Sequence, residues 1–246
     1  MRGPPAYTPG TPWGPLWAAL ATLVIIVASA VGAVLLLGSA FVAGTPEPGQ
    51  GPTLWRQDMS ALATLAVWQA MAIVLTVAAS ALFGGKVREV LALRAPAGSG
   101  FVYLKAVALM AALQLVVGSV QYTLFPQDMY ADLRPLARLF GEQWVLALLV
   151  VGLGAPLSEE LLFRGFLLSA LARSRLGFTG GAVLTTAWWT ALHAGYSTAG
   201  IFEVFLIGLF FSWLLWRTGS LLVPIFCHGL YNSLIVLVLR HVPLPG

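Results

Sequence analysis

Three short runs carry reactive side chains inside an otherwise apolar chain. They read Glu159-Glu160-Leu161-Leu162-Phe163-Arg164, then Trp188-Trp189-Thr190-Ala191-Leu192-His193, then His228-Gly229-Leu230-Tyr231-Asn232. A charged group at the centre of a bilayer costs about 2.5–3.5 kcal/mol on insertion scales, so all three charges of the first run must face an interior and be paired. On a helix Glu160 and Arg164 stand i,i+4, one above the other, and can form a buried ion pair. Glu159 points about 100° away from Glu160. It is therefore freer to face a cavity, where a carboxylate can act as a general base. The bland reading is a structural ion-pair network that holds helices together.

His193 follows Trp189 by four residues, so both share one helical face. A lone intramembrane His is more often a helix-packing hydrogen bonder than a catalyst. His228 and Asn232 are also i,i+4. A His and an amide on one face form a donor pair suited to a developing oxyanion, although His and Asn also serve as plain interhelical glue. Cys227 neighbours His228, but adjacent helical residues diverge, which argues against a Cys–His dyad.

The elements that must position these residues follow from composition. Thirteen Lys or Arg and nine Asp or Glu make up 9% of 246 residues, where a soluble domain carries about 25%. Hydrophobic residues reach 59%, and the mean hydropathy is +0.89. A water-exposed surface cannot be covered with so few charges, and an apolar, weakly charged chain is not disordered. The expected fold is an all-α polytopic transmembrane bundle of about seven spans, six to eight in range, each of roughly 20 apolar residues. The spans run from about Leu16 to Ala43, Ala61 to Phe83, Phe101 to Phe125, Gln143 to Ala172, Gly180 to Gly195, Ile201 to Trp216 and Ser220 to Leu239. The first run is too long for a cleaved signal peptide. The Pro/Gly-rich stretch ahead of it shows no other structural signal. A polar connection, Pro126 to Glu142, suggests a short interfacial helix. Gln114 and Gln121 share a face of the third span, and Glu203 sits near the edge of the sixth. The organisation expected is a single membrane-embedded unit, with N-terminal spans over 1–142 and a catalytic core over 143–240.

The net charge of +4 comes from single basic residues between apolar runs. They read as topology signals rather than as a nucleic-acid footprint. With seven spans, the loops on the N-terminal side hold more of them. The positive-inside rule then places the N-terminus in the cytoplasm. One cysteine excludes an internal disulfide and a multi-Cys metal site.

Each motif alone is weak, but the ordered set on three successive hydrophobic segments resembles the CPBP family of intramembrane proteases. That family, also called ABI, includes the Ras-converting CAAX endopeptidase and bacteriocin-processing and immunity proteins. Arg217-Thr218-Gly219-Ser220-Leu221 resembles the usual lead-in to its last motif. The resemblance covers about Val145 to Val238. The second motif usually opens with Phe, where this chain has Trp189.

The resemblance implies an endopeptidase in which Glu159 and His193 activate a water and His228 and Asn232 stabilise the oxyanion. Glu160, Arg164 and Trp189 would support the site. It also implies a peptide or membrane-protein substrate, lipidated or not. The chain's shortness and its wealth of Ala, Gly and Leu fit a bacterial cytoplasmic membrane. A zinc ion held by Glu159, His193 and His228 is one option. The spacing lacks a His-Glu-x-x-His signature, and a metal-free glutamate mechanism is the reading preferred. Two other classes compete. A non-catalytic immunity or scaffold protein would keep the fold. A proton-coupled transporter would use the same residue types, but no inverted repeat is visible.

Overall fold

The computed structural model describes residues 6–42, 54–82, 84, 86–96, 100–140, 143–242 and 244. Arg2, the Pro/Gly-rich loop 44–53, Phe83, Gly85 and Glu142 lie outside the described residues. Among the described residues nine helices follow in order: α1 (Pro15–Val42), α2 (Leu54–Leu82), the single turn α3 (Val87–Val90), α4 (Phe101–Leu124), α5 (Leu133–Phe140), α6 (Trp144–Ala172), α7 (Gly177–Ala191), α8 (Thr198–Thr218) and α9 (Leu222–His241). The same residues contain no strand. The bundle is an all-α membrane protein.

Among these helices six are long and apolar enough to cross a bilayer: α1, α2, α4, α6, α8 and α9. The segment expected as the fifth span is α7, which has 15 residues. At 1.5 Å per residue it reaches about 22 Å, short of the roughly 30 Å of hydrocarbon. The polar connection contains the expected short helix, α5.

The core gathers around α6. Leu162, Phe163, Phe166, Leu167 and Leu168 are all fully buried or nearly so. By contrast, α1 turns Leu16, Val24, Val31 and Leu35 outward, as expected of a surface that meets lipid rather than water. Close approach to α6 depends on small residues, as is common between membrane helices. A Cβ on Gly152 would lie 2.5 Å from Ser233 Oγ, and one on Gly229 would lie 3.0 Å from the Gly152 carbonyl.

The stretch before α1 is better tied down than its composition suggests. Tyr7 donates its backbone N–H to Trp216 O at 3.3 Å. Its ring meets Phe178 edge-on, and Trp13 stacks on Phe166 at 4.9 Å. Gly219, which ends α8, has φ +65, and a Cβ there would sit 2.7 Å from Ala6 O. Only glycine meets both demands at this position. Arg94, expected only as a loop charge, donates Nε to the Gly219 carbonyl at 2.8 Å.

Candidate active site

Helix α6 does not wind uniformly. It widens to π-helix over Leu148–Gly154 and again over Glu160–Leu167. π-Turns often mark functional sites. The first widening has a readable cause in Pro156, which has no N–H and whose ring would press on the carbonyl four residues back. In the wide register Ala155 N–H bonds Val150 O. The next carbonyl, Val151 O, would therefore face the Pro156 nitrogen and find no donor. Asn232 Nδ2 supplies one from α9, at 2.9 Å. Thus Pro156 and Asn232, 76 positions apart, form one unit.

The second widening carries the charges. Glu160 and Arg164 are fully buried, and Arg164 Nη1 lies 3.3 Å from Glu160 Oε1, the expected i,i+4 pair. Arg164 Nη2 also donates to Gly208 O at 3.1 Å. Its guanidinium lies over the Trp189 ring, 4.4 Å from the centroid. Gly208 lets α8 come this close. A Cβ there would be 2.7 Å from Arg164 Nη2 and 2.9 Å from Trp189 Cε3. Glu160 has a second partner that its sequence position does not suggest. Its Oε1 also meets His228 Nδ1 of α9 at 3.0 Å.

Glu159 points elsewhere, as expected from its angular offset. It is half-buried and faces a cavity of about 1030 Å³. The Trp189 indole donates Nε1–H to its Oε2 at 2.6 Å, a contact that Phe at this position could not make. Trp189 packs edge-on against His193, with ring centroids 4.9 Å apart. His193 Nδ1 lies 3.1 Å from Trp189 O. A carbonyl only accepts, so Nδ1 carries the proton and Nε2 is the acceptor nitrogen. His228 stacks on Phe211 at 4.8 Å.

Glu159 of α6, His193 at the turn after α7, and His228 and Asn232 of α9 thus all line the same cavity, together with Trp189. Glu160 and Arg164 lie behind it. Cys227 is buried beside Ala106 O at 3.8 Å. Among the described residues, no three His, Cys, Asp or Glu side chains gather as a metal site. The conditional set Glu159, His193 and His228 lines one cavity without closing into such a group.

Residues 141–234 match the family model described as type II CAAX prenyl endopeptidase Rce1-like. That match supports a CPBP/CAAX protease-family assignment for this segment. All seven residues singled out above lie inside this family domain. The chain is also 40% identical over 87 residues to an uncharacterised 24.3 kDa protein of Escherichia coli. That match covers 34% of this chain and 40% of the relative, so the chain spans about two fifths of the curated relative it matches. No solved structure matches the chain.

Further polar residues line the cavity beside the family motifs, among them Asp132, Tyr196, Glu203 and Tyr231. Glu203 Oε1 accepts from Tyr231 O–H at 2.9 Å, and its Oε2 accepts from Gln121 Nε2 at 2.8 Å. Asp132 accepts from both the backbone N–H and the Oγ–H of Ser197, each at 2.7 Å. It thereby ties the connection before α5 to the start of α8. The signal for Glu203 was an acid within an apolar span. Its position near a span's edge made it read as an interfacial charge.

Proposed function

We propose that the chain is an intramembrane endopeptidase. The single observation that carries this reading is that Glu159, His193, His228 and Asn232, dispersed over 74 positions, line one cavity within the family domain. Peptide hydrolysis needs a base for water, a donor for the oxyanion, and a cavity that admits water at membrane depth.

Glu159 takes the proton of an attacking water, with Trp189 holding its Oε2 so that Oε1 meets the water. His193, with Nδ1 committed to Trp189 O, uses Nε2 to orient the same water and then to relay the proton taken up by Glu159 to the leaving amine. His228 and Asn232 donate to the oxyanion. Glu160 holds the His228 ring through Nδ1, and Nε2 donates to the oxyanion when the ring carries a proton on both nitrogens. Val151 O holds one N–H of Asn232 and leaves the other. Arg164 balances the Glu160 charge.

The reaction is read as metal-free. The substrate is a peptide or a membrane protein, lipidated or not. The chain sits in a bacterial cytoplasmic membrane with its N-terminus in the cytoplasm. The test compares membrane peptides from cells expressing the wild type and Glu159→Gln. One cleavage that disappears in the variant supports the proposal, and identical peptide sets sink it. Once that cleavage is reproduced with purified protein, chelation leaves its rate unchanged on the metal-free reading. A loss restored by added zinc would reverse that part alone.

A further inference from the structure

The cavity is uneven in polarity and in charge. Ile26, Ala30 and Val34 of α1 and Leu65 and Trp68 of α2 supply an apolar part of its lining. Elsewhere Asp128, Asp132, Glu159 and Glu203 line it, and no Lys or Arg does among the described residues. The chain as a whole has the opposite sign, with net charge +4. A cleft lined by one sign of charge within low-dielectric walls concentrates the opposite charge.

These carboxylates differ in what holds them. Asp132 accepts one hydrogen bond on each oxygen, both from Ser197, and so ties the connection before α5 to the start of α8. Glu159 is engaged by Trp189 and by the proposed chemistry. Glu203 also accepts one hydrogen bond on each oxygen, but from two different helices, through Tyr231 and Gln121, and a carboxylate oxygen can accept another. Two helices, α4 and α9, fix its direction, so little side-chain freedom remains to be lost on binding. Glu203, Tyr231 and Asn232 all line the one cavity that holds the proposed oxyanion site.

We propose that Glu203 is the specificity-determining residue of this cavity, and that its occupant is a peptide segment bearing a Lys or Arg side chain within a few residues of the scissile bond. The proposal rests on the endopeptidase reading above. The apolar stem of the side chain packs on the α1 and α2 lining, and its cationic end meets Glu203. A neutral side chain of the same length would leave the acidic lining without a counter-charge.

The experiment presents the purified full chain, in detergent and in liposomes, with a library of apolar peptides. Matched members carry Lys, Arg, Gln or Glu at each position. The wild type is expected to favour Lys or Arg over Gln by about tenfold or more in kcat/KM, the scale of one charge-assisted contact. In Glu203→Gln the ratio falls to within about twofold of one, and in Glu203→Lys it inverts toward Glu peptides. Tyr231→Phe, which keeps the ring and frees one Glu203 oxygen, narrows the ratio. A thermal melt of each variant separates loss of fold from loss of preference.

A second arm measures binding of the same library to Glu159→Gln and to Glu159→Gln/Glu203→Gln. Hydrolysis with no preference for basic peptides overturns the specificity proposal and leaves the endopeptidase reading intact. No hydrolysis by the wild type, with basic peptides still bound in a Glu203-dependent way, does the reverse. Neither hydrolysis nor Glu203-dependent binding overturns both.

Discussion

Arg164→Met is the most informative single perturbation of the buried frame. Met keeps an unbranched stem in the space and removes the charge. Arg164 is fully buried and pairs with Glu160 at 3.3 Å. Removing one member of a buried pair costs about 3–5 kcal/mol, because the remaining charge is left uncompensated. The guanidinium over Trp189 at 4.4 Å adds about 1 kcal/mol or somewhat more for a desolvated cation–π contact. The bond to Gly208 O adds little, since that carbonyl also accepts from Ser212 Oγ at 3.0 Å. The sum, about 4–6 kcal/mol, is a large share of the roughly 5–15 kcal/mol that holds a typical protein folded.

The check is equilibrium unfolding in mixed detergent, with Arg164→Met, Glu160→Gln and the double variant compared. The double variant is expected to recover much of the loss, because replacing both charges removes the unpaired group. The amide oxygen introduced by Glu160→Gln can still accept from His228 Nδ1. A loss below about 1 kcal/mol for Arg164→Met, or a double variant no better than the worse single, would refute the pairing argument.

Gly208→Ala places a methyl group 2.7 Å from Arg164 Nη2 and 2.9 Å from Trp189 Cε3. It should cost about 1–3 kcal/mol in a melt and lower turnover by displacing Trp189 from Glu159. Pro156→Ala restores an N–H that competes with Asn232 for Val151 O. Turnover should fall with no loss in thermal stability, and adding Asn232→Ala should then cause less further loss than it does alone. Tyr7 lies before the first span, and burial pushes its phenol up from 10.0 to about 12. The unfolded phenol therefore ionises first. Stability should fall as pH rises from about 10 to about 12, by roughly 2–3 kcal/mol in all, and Tyr7→Phe should flatten that decline in melts taken across the window.

Much of the molecule is legible in the chain because its determinants are local. Scarcity of charge requires a membrane bundle, since nothing else could solvate the surface. Helical periodicity alone pairs Glu160 with Arg164 and sets Glu159 apart, and both relations hold in the structure. The order of the three motifs marks the segment that matches the protease family. Span lengths follow as well, with α7 as the exception. Its apolar run looks like a span but ends in the turn at His193, and the helix has 15 residues.

What required the tertiary structure is every contact between helices. Glu160 holding His228, Trp189 holding Glu159 and Val151 holding Asn232 join residues 68, 30 and 81 positions apart. Periodicity gives a residue's face but not which neighbour that face meets. The meeting depends on how far each helix slides and rotates against the next. That in turn is set by small residues such as Gly152, Gly208 and Gly229, and by the widened turns of α6. The same geometry brings Glu203 from an apparent interfacial position to the cavity wall, and packs the Pro/Gly-rich N-terminal stretch against Trp216 and Phe166. Sequence therefore named the chemical groups and their local partners. Only the packing decided which groups share one cavity, because that choice is made by contacts between helices far apart in the chain.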